Sequence, residues 1–441
     1  MKETMTQLNL PGVPRAKQGR EVPERWQWTE AAVWTESMLA TLERGVRGGK
    51  WFSLIDKVWK VETLQGASKK VIANDGSAGV DRESTEKFAE AQASKVAELS
   101  EQLRTGTYRV QAVKRVWIDK LGSREKRPLG VPAVRDRVVQ TGLRAVIEPI
   151  FEKEFAEHSY GFRPGRGAQQ ALDRVETLLK QGKVWVVDAD IKGYFDNIPQ
   201  EKLMELVEEK IADGRVLELL RDMLHAGVME TCKGWQPTEK GTPQGAVISP
   251  LLANIYLNPL DHQMVKNQHE MTRYADDFVI MCSSKQEAEA VMEKLRRWIE
   301  EAGLTLHPEK TRIVNAQEGE FEFLGYRFER GRKWPRKKSL ERLKDTIRKH
   351  TPRNSGESME RISQTINPVL KGWGRYFYRC YPTTFSSLDG YIRGRMRSIL
   401  RRRIHLRGRG RGADHQRWPN AYFTEQGLLF LSNLCQVSQS P

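Results

Sequence analysis

The stretch that decides the fold is residues 273–282, RYADDFVIMC, in which two adjacent acidic residues stand between apolar, strand-forming segments. Such segments around a short polar turn predict an antiparallel hairpin with Asp276 and Asp277 at its tip. A second apolar segment, VWVVDADI at 184–191, predicts a neighbouring strand with Asp190 near its end. Helical patterns are interspersed with these strands, including a capping box at 284–287, so the sequence predicts an α+β fold.

The three acids Asp190, Asp276 and Asp277 are the candidate catalytic residues. Adjacent carboxylates within apolar strands repel each other and lose hydration unless a cation offsets their charge. Mg²⁺ prefers a few carboxylates together with phosphate oxygens. Two such ions can activate an attacking hydroxyl and stabilise the leaving oxygen of a phosphoryl transfer. The alternative interpretation of an Asp-Asp pair is a solvated turn.

The order of the other motifs favours the metal site. DIKGYFDNI at 190–198 is followed by GTPQG, SPLLAN and YADD, and this order resembles the palm of reverse transcriptases encoded by bacterial group II introns. RPLGVP at 127–132 and SYGFRPG at 159–165 resemble the fingers of that family. GLTL at 303–306 and FLGY at 323–326 resemble the end of its palm. Each motif is weak alone, but their shared order is highly specific.

The resemblance implies a right-hand polymerase, with fingers and palm followed by a basic, all-helical thumb or maturase domain. In that family the acids corresponding to Asp190, Asp276 and Asp277 bind two Mg²⁺ ions. The resemblance therefore implies the same ions here, with the backbone carbonyl of Ile191 as a further ligand.

The same resemblance implies a pocket for the incoming nucleotide, formed by Lys120, Arg127, Tyr194, Phe195 and Gln244. Tyr194 is predicted to screen the ribose 2′ position, and Gln244 is predicted to line the pocket. Lys120 and Arg127 are predicted to reach the triphosphate from the fingers. The loop at 121–126 departs from the family's usual Pro-Gly-Gly-Gly run, so Arg124 and Lys126 are alternatives for that contact.

The chain of 441 residues carries 73 Lys and Arg against 57 Asp and Glu, a net charge of +16 that suggests a polyanionic partner. Residues 327–411 hold 25 basic and 6 acidic residues, a net of +19, which leaves the remainder at −3. Basic residues alternate with aromatics in this block, which is typical of surfaces that bind phosphates and stack on unpaired bases. The predicted nucleic-acid contacts, one of them in the fingers motif, are Arg163, Lys371, Arg375, Arg379, Arg393, Arg397 and Arg401.

Other features exclude several classes of protein. The four cysteines are too few and too widely spaced for a disulfide framework or a Cys-based zinc site. No apolar run predicts a signal peptide or a membrane helix. The basic run at 401–403 lacks the apolar anchor that binding to an anionic membrane requires. We therefore expect a cytoplasmic protein associated with the nucleoid or a ribonucleoprotein, with no membrane partner.

The sequence predicts an N-terminal extension at 1–60, reverse transcriptase fingers and palm at 61–330, and a helical thumb or maturase domain at 331–441. The resemblance implies an RNA-directed DNA polymerase that copies group II intron RNA for retromobility and binds that RNA to assist splicing. Its partners are then the intron RNA, an RNA template with a DNA primer, dNTPs and target DNA. Because the sequence ends at Pro441, we expect no H-N-H endonuclease and a primer that this protein does not cut. The alternatives are a splicing-only RNA-binding cofactor and a domesticated reverse transcriptase in phage defence or spacer acquisition.

Overall fold

The computed structural model describes residues 24–119, 126–230, 233–406 and 412–437. Within these ranges a 3₁₀ turn at Glu24–Trp26 precedes the helices α1 Glu36–Arg44, α2 Ile55–Val58, α3 Val61–Ala73, α4 Thr85–Glu90, α5 Gln92–Thr105, α6 Val134–Glu152, α7 Ala168–Lys180, α8 Tyr194–Asn197, α9 Gln200–Glu208, α10 Gly214–His225, α11 Ser249–Lys266, α12 Lys285–Glu301, α13 Lys337–His350, α14 Met359–Phe377, α15 Thr383–Arg403, α16 Ala413–Arg417, α17 Asn420–Glu425 and α18 Leu431–Val437. None of these helices combines the length and the apolar character that crossing a bilayer requires.

The same residues contain the strands β1 Val113–Asp119, β2 Lys126–Val131, β3 Trp185–Asp190, β4 Val228–Glu230, β5 Gly234–Gln236, β6 Glu270–Tyr274, β7 Asp277–Cys282, β8 Arg312–Asn315, β9 Glu320–Phe323, β10 Tyr326–Glu329 and β11 Arg332–Pro335. They form three sheets, with the strand orders β2-β1-β4-β5, β6-β7-β3-β8 and β11-β10-β9. This combination of helices with largely antiparallel sheets confirms the predicted α+β fold.

The chain folds as two compact units, and the first consists of the described residues of 1–112, 132–154 and 204–226. This unit is helical, and α6 is buried along most of its length. Asp213 joins two of its segments. Its Oδ2 accepts hydrogen bonds from Leu54 N at 2.6 Å and Ile55 N at 2.8 Å, and its Oδ1 caps α10. One carboxylate therefore satisfies backbone N–H groups at the starts of both α2 and α10.

The second unit consists of the described residues of 113–131, 155–203 and 227–441, and it contains the sheet that carries the acids. In this sheet β3 lies between β7 and β8 and pairs antiparallel with both. The strand predicted at 184–191 is observed as β3. Half of the predicted capping box forms, since the Ser284 hydroxyl accepts a hydrogen bond from Glu287 N at 3.1 Å at the start of α12. The Glu287 carboxylate accepts from Ser283 N, at 2.8 Å, and not from Ser284 N as a capping box requires.

The C-terminal helices and the β9–β11 sheet share one apolar core, which includes Phe321, Leu370 and Ile392. The prediction that everything after residue 330 is helical is wrong at β11, which pairs with β10. The reason is local, because Arg330 and Gly331 have φ angles of 47° and 73°, and this left-handed backbone makes a tight hairpin turn. The domain boundaries at 60 and 330 stay predictions.

Candidate active site

Asp190 and Asp277 face each other at one end of the β6-β7-β3-β8 sheet. They are register partners in the antiparallel pairing of β3 with β7. Asp276 lies just before β7, in the turn after β6, where Ala275 has a left-handed φ of 60°. The structure therefore brings the three predicted catalytic acids together at one sheet edge.

Burial and mutual repulsion disfavour the charged forms of these acids. Desolvation, together with the charges of Asp188, Asp276 and Asp190, raises the pKa of Asp277 to about 7. Burial, together with the charge of Asp190, also raises the pKa of Asp276. Carboxylates that have lost water and face one another are stabilised by a nearby cation. The edge is therefore suited to a positively charged ligand.

Asp190 and Asp277 each have a protein partner. Lys310 Nζ donates a hydrogen bond to Asp190 Oδ2 at 2.6 Å, and Leu324 N donates to Asp277 Oδ2 at 3.4 Å. In the part of the chain that the structure describes, no three Asp, Glu, His or Cys side chains are arranged so that together they could hold a metal ion. The chemistry of the donor set nevertheless fits a divalent cation, because carboxylate oxygens are preferred Mg²⁺ ligands and the acids repel one another even beside the Lys310–Asp190 ion pair. Sequence reasoning did not assign Lys310 to the site.

The backbone around Ile191 is fixed on both sides. Lys192 N donates to Thr305 O at 2.9 Å, and His307 N donates to Asp190 O at 2.7 Å. These hydrogen bonds set the position of the Ile191 peptide, while its side chain is buried. The role of the Ile191 carbonyl as a metal ligand stays a prediction.

The turn before Asp276 is held by a fully buried cation, Arg273. Its guanidinium group donates to both carboxylate oxygens of Asp261 on α11, through Nε at 2.7 Å and through Nη2. Its Nη1 donates to Asn254 Oδ1 and to Ala275 O, each at 2.9 Å. Bidentate hydrogen bonds between charged groups are strong and directional. Arg273 therefore ties the left-handed residue of the turn to α11.

The segment at 159–165 packs against the same turn. Gly161 lies so close to it that a Cβ atom there would overlap Ala275 N, so this position requires glycine. Asn254 Nδ2 donates to Gly161 O, and Tyr160 N donates to Arg273 O, both at 2.8 Å. This segment, predicted to belong to the fingers, therefore supports the turn that leads to Asp276 and Asp277.

Arg163, in the same segment, is an interior residue. It is 6% exposed, and its Nη1 donates to Ala156 O at 2.6 Å and to Ser159 O at 2.7 Å. Its guanidinium group also lies over the Phe155 ring, 5.3 Å from the centroid. The prediction that Arg163 contacts nucleic acid is therefore wrong, because its charge is directed to the protein's own backbone carbonyls.

Two of the predicted nucleotide-binding residues contact each other directly. Arg127 Nε, at the start of β2, donates to Gln244 Oε1 at 3.0 Å. This contact joins the strand to the loop that carries the GTPQG motif. Lys120 and its alternative Arg124 lie outside the described residues, so Arg127 is the predicted triphosphate contact that the structure places beside Gln244.

The two aromatic residues at the start of α8 have different surroundings. Tyr194 is 2% exposed, and its hydroxyl donates to Ala253 O at 2.5 Å. The prediction that Tyr194 screens the ribose is therefore wrong, because the protein core encloses both its ring and its hydroxyl. The Phe195 ring instead lies 6.5 Å from that of Phe162, which is exposed, and Phe195 O accepts a hydrogen bond from Thr242 N at 2.7 Å. Phe195 is the aromatic residue that lies next to the GTPQG loop.

A cavity of about 560 Å³ opens beside the acids. Its lining combines acidic residues, the FLGY turn and basic side chains: Asp188, Asp190, Asp277, Glu309, Glu322, Lys310, Arg312, Leu324, Gly325, Arg336 and Lys338. A lining that contains both carboxylates and cations suits a metal-bound phosphate chain, because carboxylates bind divalent metals and cations bind phosphate oxygens. Arg336 and Lys338 were not predicted, because the β10–β11 hairpin places them here.

Arg397 of the C-terminal block is also an interior residue. It is 3% exposed, and it donates to Trp418 O and Asn420 Oδ1, both at 3.0 Å. The prediction that Arg397 contacts RNA is therefore wrong, because its guanidinium group is buried and donates to these protein groups. Lys371 and Arg375, one turn apart on α14, are exposed and available to a polyanion.

The other three basic residues predicted in this block are partly buried and interact with protein groups. Arg379 pairs with Asp173, Arg393 lies over the Phe430 ring, and Arg401 pairs with Asp414. Their predicted contacts with RNA would have to compete with these interactions. Lys371 and Arg375 are therefore the better candidates for binding RNA.

Two family models match this chain. Residues 118–328 match the model described as reverse transcriptase (RNA-dependent DNA polymerase). Residues 340–418 match the model described as group II intron, maturase-specific domain. The first range contains the three acids, and the second contains most of α13 to α15.

Named relatives agree with these matches. The group II intron-encoded protein LtrA of Lactococcus lactis is 40% identical over 199 residues, which are 45% of this chain and 31% of LtrA. Protein YkfC of Escherichia coli is 32% identical over 321 residues, with 63% of this chain and 83% of YkfC covered. An uncharacterized 91 kDa protein in the cob intron of Schizosaccharomyces pombe is 32% identical over 271 residues, 48% of this chain and 33% of that protein. The chain thus spans about a third of the length of LtrA.

Proposed function

Because the chain belongs to the family of group II intron-encoded reverse transcriptases and maturases, we propose that it copies RNA into DNA and binds intron RNA. The polymerase function rests on one observation, the meeting of Asp190, Asp276 and Asp277 at a single sheet edge. Its substrates are then dNTPs and an RNA template with a DNA primer. Retromobility would add target DNA as a partner.

The reaction proposed is attack of the primer 3′-hydroxyl on the α-phosphate of a dNTP, with release of pyrophosphate. Asp190, Asp276, Asp277 and the Ile191 carbonyl would hold two Mg²⁺ ions. When bound, these ions lower the pKa of the attacking hydroxyl and stabilise charge on the leaving oxygen. Arg127, oriented by its hydrogen bond to Gln244, would bind the triphosphate.

Phe195 is proposed to exclude the ribose 2′-hydroxyl. We expect wild-type protein to extend a DNA primer on an RNA template with dNTPs and to use rNTPs poorly. Phe195→Ala is expected to raise the relative use of rNTPs by about tenfold or more. Removing the ring opens space for the ribose 2′-hydroxyl, and steric exclusion of such a group contributes about 1–3 kcal/mol to discrimination between dNTPs and rNTPs. The measurement is the ratio of kcat/KM for dNTP and rNTP incorporation.

The matched control is Tyr194→Phe, which removes only the hydroxyl that donates to Ala253 O. This variant should keep the wild-type sugar ratio. A wild-type protein that incorporates no dNTP would contradict the polymerase proposal. A normal sugar ratio in Phe195→Ala would contradict the role of Phe195 alone.

The C-terminal helices are proposed to bind the intron RNA and assist its splicing, as part of a ribonucleoprotein. The exposed cations Lys371 and Arg375 lie on α14, within the range that matches the maturase-specific model. Lys and Arg that contact phosphates release counterions, so such binding weakens as the salt concentration rises. The net charge of +19 in residues 327–411 supports a polyanionic partner for this region.

We expect the double variant Lys371→Ala, Arg375→Ala to bind intron RNA more weakly and with less dependence on salt. The slope of log Kd against log salt should fall by about two units if each residue contacts one duplex phosphate, since each such contact contributes about 0.9. Filter binding of the intron RNA over a series of salt concentrations measures both quantities.

The matched control removes two exposed arginines from α12, in Arg296→Ala, Arg297→Ala. This variant loses the same charge outside the C-terminal helices and should keep the wild-type slope. An equal loss in both double variants would show that only the total charge matters, which would contradict a specific contact at Lys371 and Arg375.

A further inference from the structure

The turn at 323–326, the FLGY turn, meets a catalytic acid directly. Leu324 N donates to Asp277 Oδ2 at 3.4 Å. Leu324 and Gly325 both have left-handed backbones, with φ angles of 49° and 80°. A leucine is strained in this conformation, and such strain persists only where neighbouring groups hold it.

Tyr376, at the end of α14, holds this turn through both its hydroxyl and its backbone. Its hydroxyl donates to Leu324 O at 2.8 Å. Its backbone carbonyl accepts hydrogen bonds from the Tyr326 hydroxyl and from Gln169 Nε2, the latter at 2.9 Å. The rings of Tyr326 and Tyr376 lie 5.8 Å apart. Two reciprocal hydrogen bonds therefore connect Tyr376 with the FLGY turn.

The body of the turn is fixed from the same side. Arg336 N donates to Gly325 O at 2.9 Å, and the Phe377 ring lies 5.0 Å from that of Tyr326. Leu324 and Gly325 also line the cavity beside Asp277. A shift of this turn would therefore change both the cavity wall and the hydrogen bond that Asp277 accepts.

On the basis of the polymerase function above, we propose that Tyr376 is a positioning residue of the active site, which holds the Leu324 N–H on Asp277. Tyr376 lies within the range that matches the maturase-specific model, and Asp277 lies within the range that matches the reverse transcriptase model. The region that matches the maturase-specific model thus helps to position Asp277, an acid of the polymerase site. A protein that lost α14 would lose alignment of Asp277 as well as RNA binding.

The test is Tyr376→Phe, which keeps the ring and removes only the hydrogen bond to Leu324 O. We expect kcat for primer extension to fall about fivefold, the equivalent of about 1 kcal/mol for one hydrogen bond, with little change in KM for dNTP. Mn²⁺ binding to the full chain without nucleotide, measured by electron paramagnetic resonance, should weaken by a similar factor. The thermal unfolding midpoint should stay close to that of the wild type.

The matched control is Tyr378→Phe, which removes a hydroxyl that accepts a hydrogen bond from Arg379 Nε instead. It should keep wild-type kcat and Mn²⁺ affinity. The proposal is overturned if Tyr376→Phe matches the wild type in Mn²⁺ affinity, or if both variants lose it equally. A wild-type protein without polymerase activity would overturn the proposed function, and the Mn²⁺ measurement would still decide the role of Tyr376.

Discussion

Replacing Asp276 and Asp277 together with Asn is expected to lower primer extension on an RNA template by at least about a hundredfold. Asn keeps the shape of Asp but removes the charge that would hold the proposed divalent cations. Metal ions supply several kcal/mol of transition-state stabilisation in phosphoryl transfer, and each 1.4 kcal/mol is a factor of about ten in rate. The measurement is kcat/KM for dNTP incorporation.

The same substitutions are expected to preserve the fold or to stabilise it. Burial and neighbouring charges raise the pKa of Asp277 to about 7 and also raise that of Asp276. When the pKa of an acid is higher in the folded than in the unfolded chain, its ionisation destabilises the fold as the pH rises. Neutral amides remove this repulsion, so the thermal unfolding midpoint at neutral pH should not fall.

The control is Asp345→Asn, which removes an exposed carboxylate that pairs with Arg348 on α13. It should leave primer extension unchanged. Full activity in the Asp276 and Asp277 double variant would contradict the metal assignment. If that variant still supports splicing of the intron, splicing does not depend on polymerase chemistry.

The acid edge is the part of the site that the sequence predicts best. The apolar run at 278–282 after Asp276 and Asp277 and the strand-forming Thr272 and Tyr274 before them predict a hairpin, and β3 ends at Asp190. The side-chain period of a strand then determines which residues share a face. Local pattern therefore predicted the strands and the turn that carry Asp190, Asp276 and Asp277, but the order of the other motifs was needed to favour a metal site over a solvated turn.

Contacts between distant segments were not predictable in this way. Arg163 and Arg397 are indistinguishable in sequence from solvated arginines, yet each is buried against backbone carbonyls. Tyr194 and Phe195 are adjacent aromatics, and only the path of α11 shows that the Tyr194 hydroxyl is enclosed. Arg273 was quoted only as part of the hairpin motif, because its partners lie on α11. Whether such a side chain is buried or exposed depends on tertiary packing, which cannot be read from a single sequence.

Replacing Arg273 with Met is expected to destabilise the second unit strongly. Asp261 would remain as a buried carboxylate without its partner, and breaking a buried ion pair in this way costs about 3–5 kcal/mol. The midpoint of chemical or thermal unfolding should therefore fall, and primer extension should fall with it. This variant alone does not distinguish unfolding of the second unit from misplacement of the turn that carries Asp276.

The double variant Arg273→Met, Asp261→Leu makes that separation. Replacing both members of a buried ion pair with apolar residues of similar size is often neutral or stabilising, so the unfolding midpoint should largely recover. Primer extension should not recover, because Ala275 O and Asn254 Oδ1 would still lack the donors that hold the turn before Asp276. Recovery of stability without activity would identify Arg273 as a positioning residue. Recovery of both stability and primer extension would show that the ion pair contributes to folding alone. The left-handed turn at Ala275 would then need no support from Arg273.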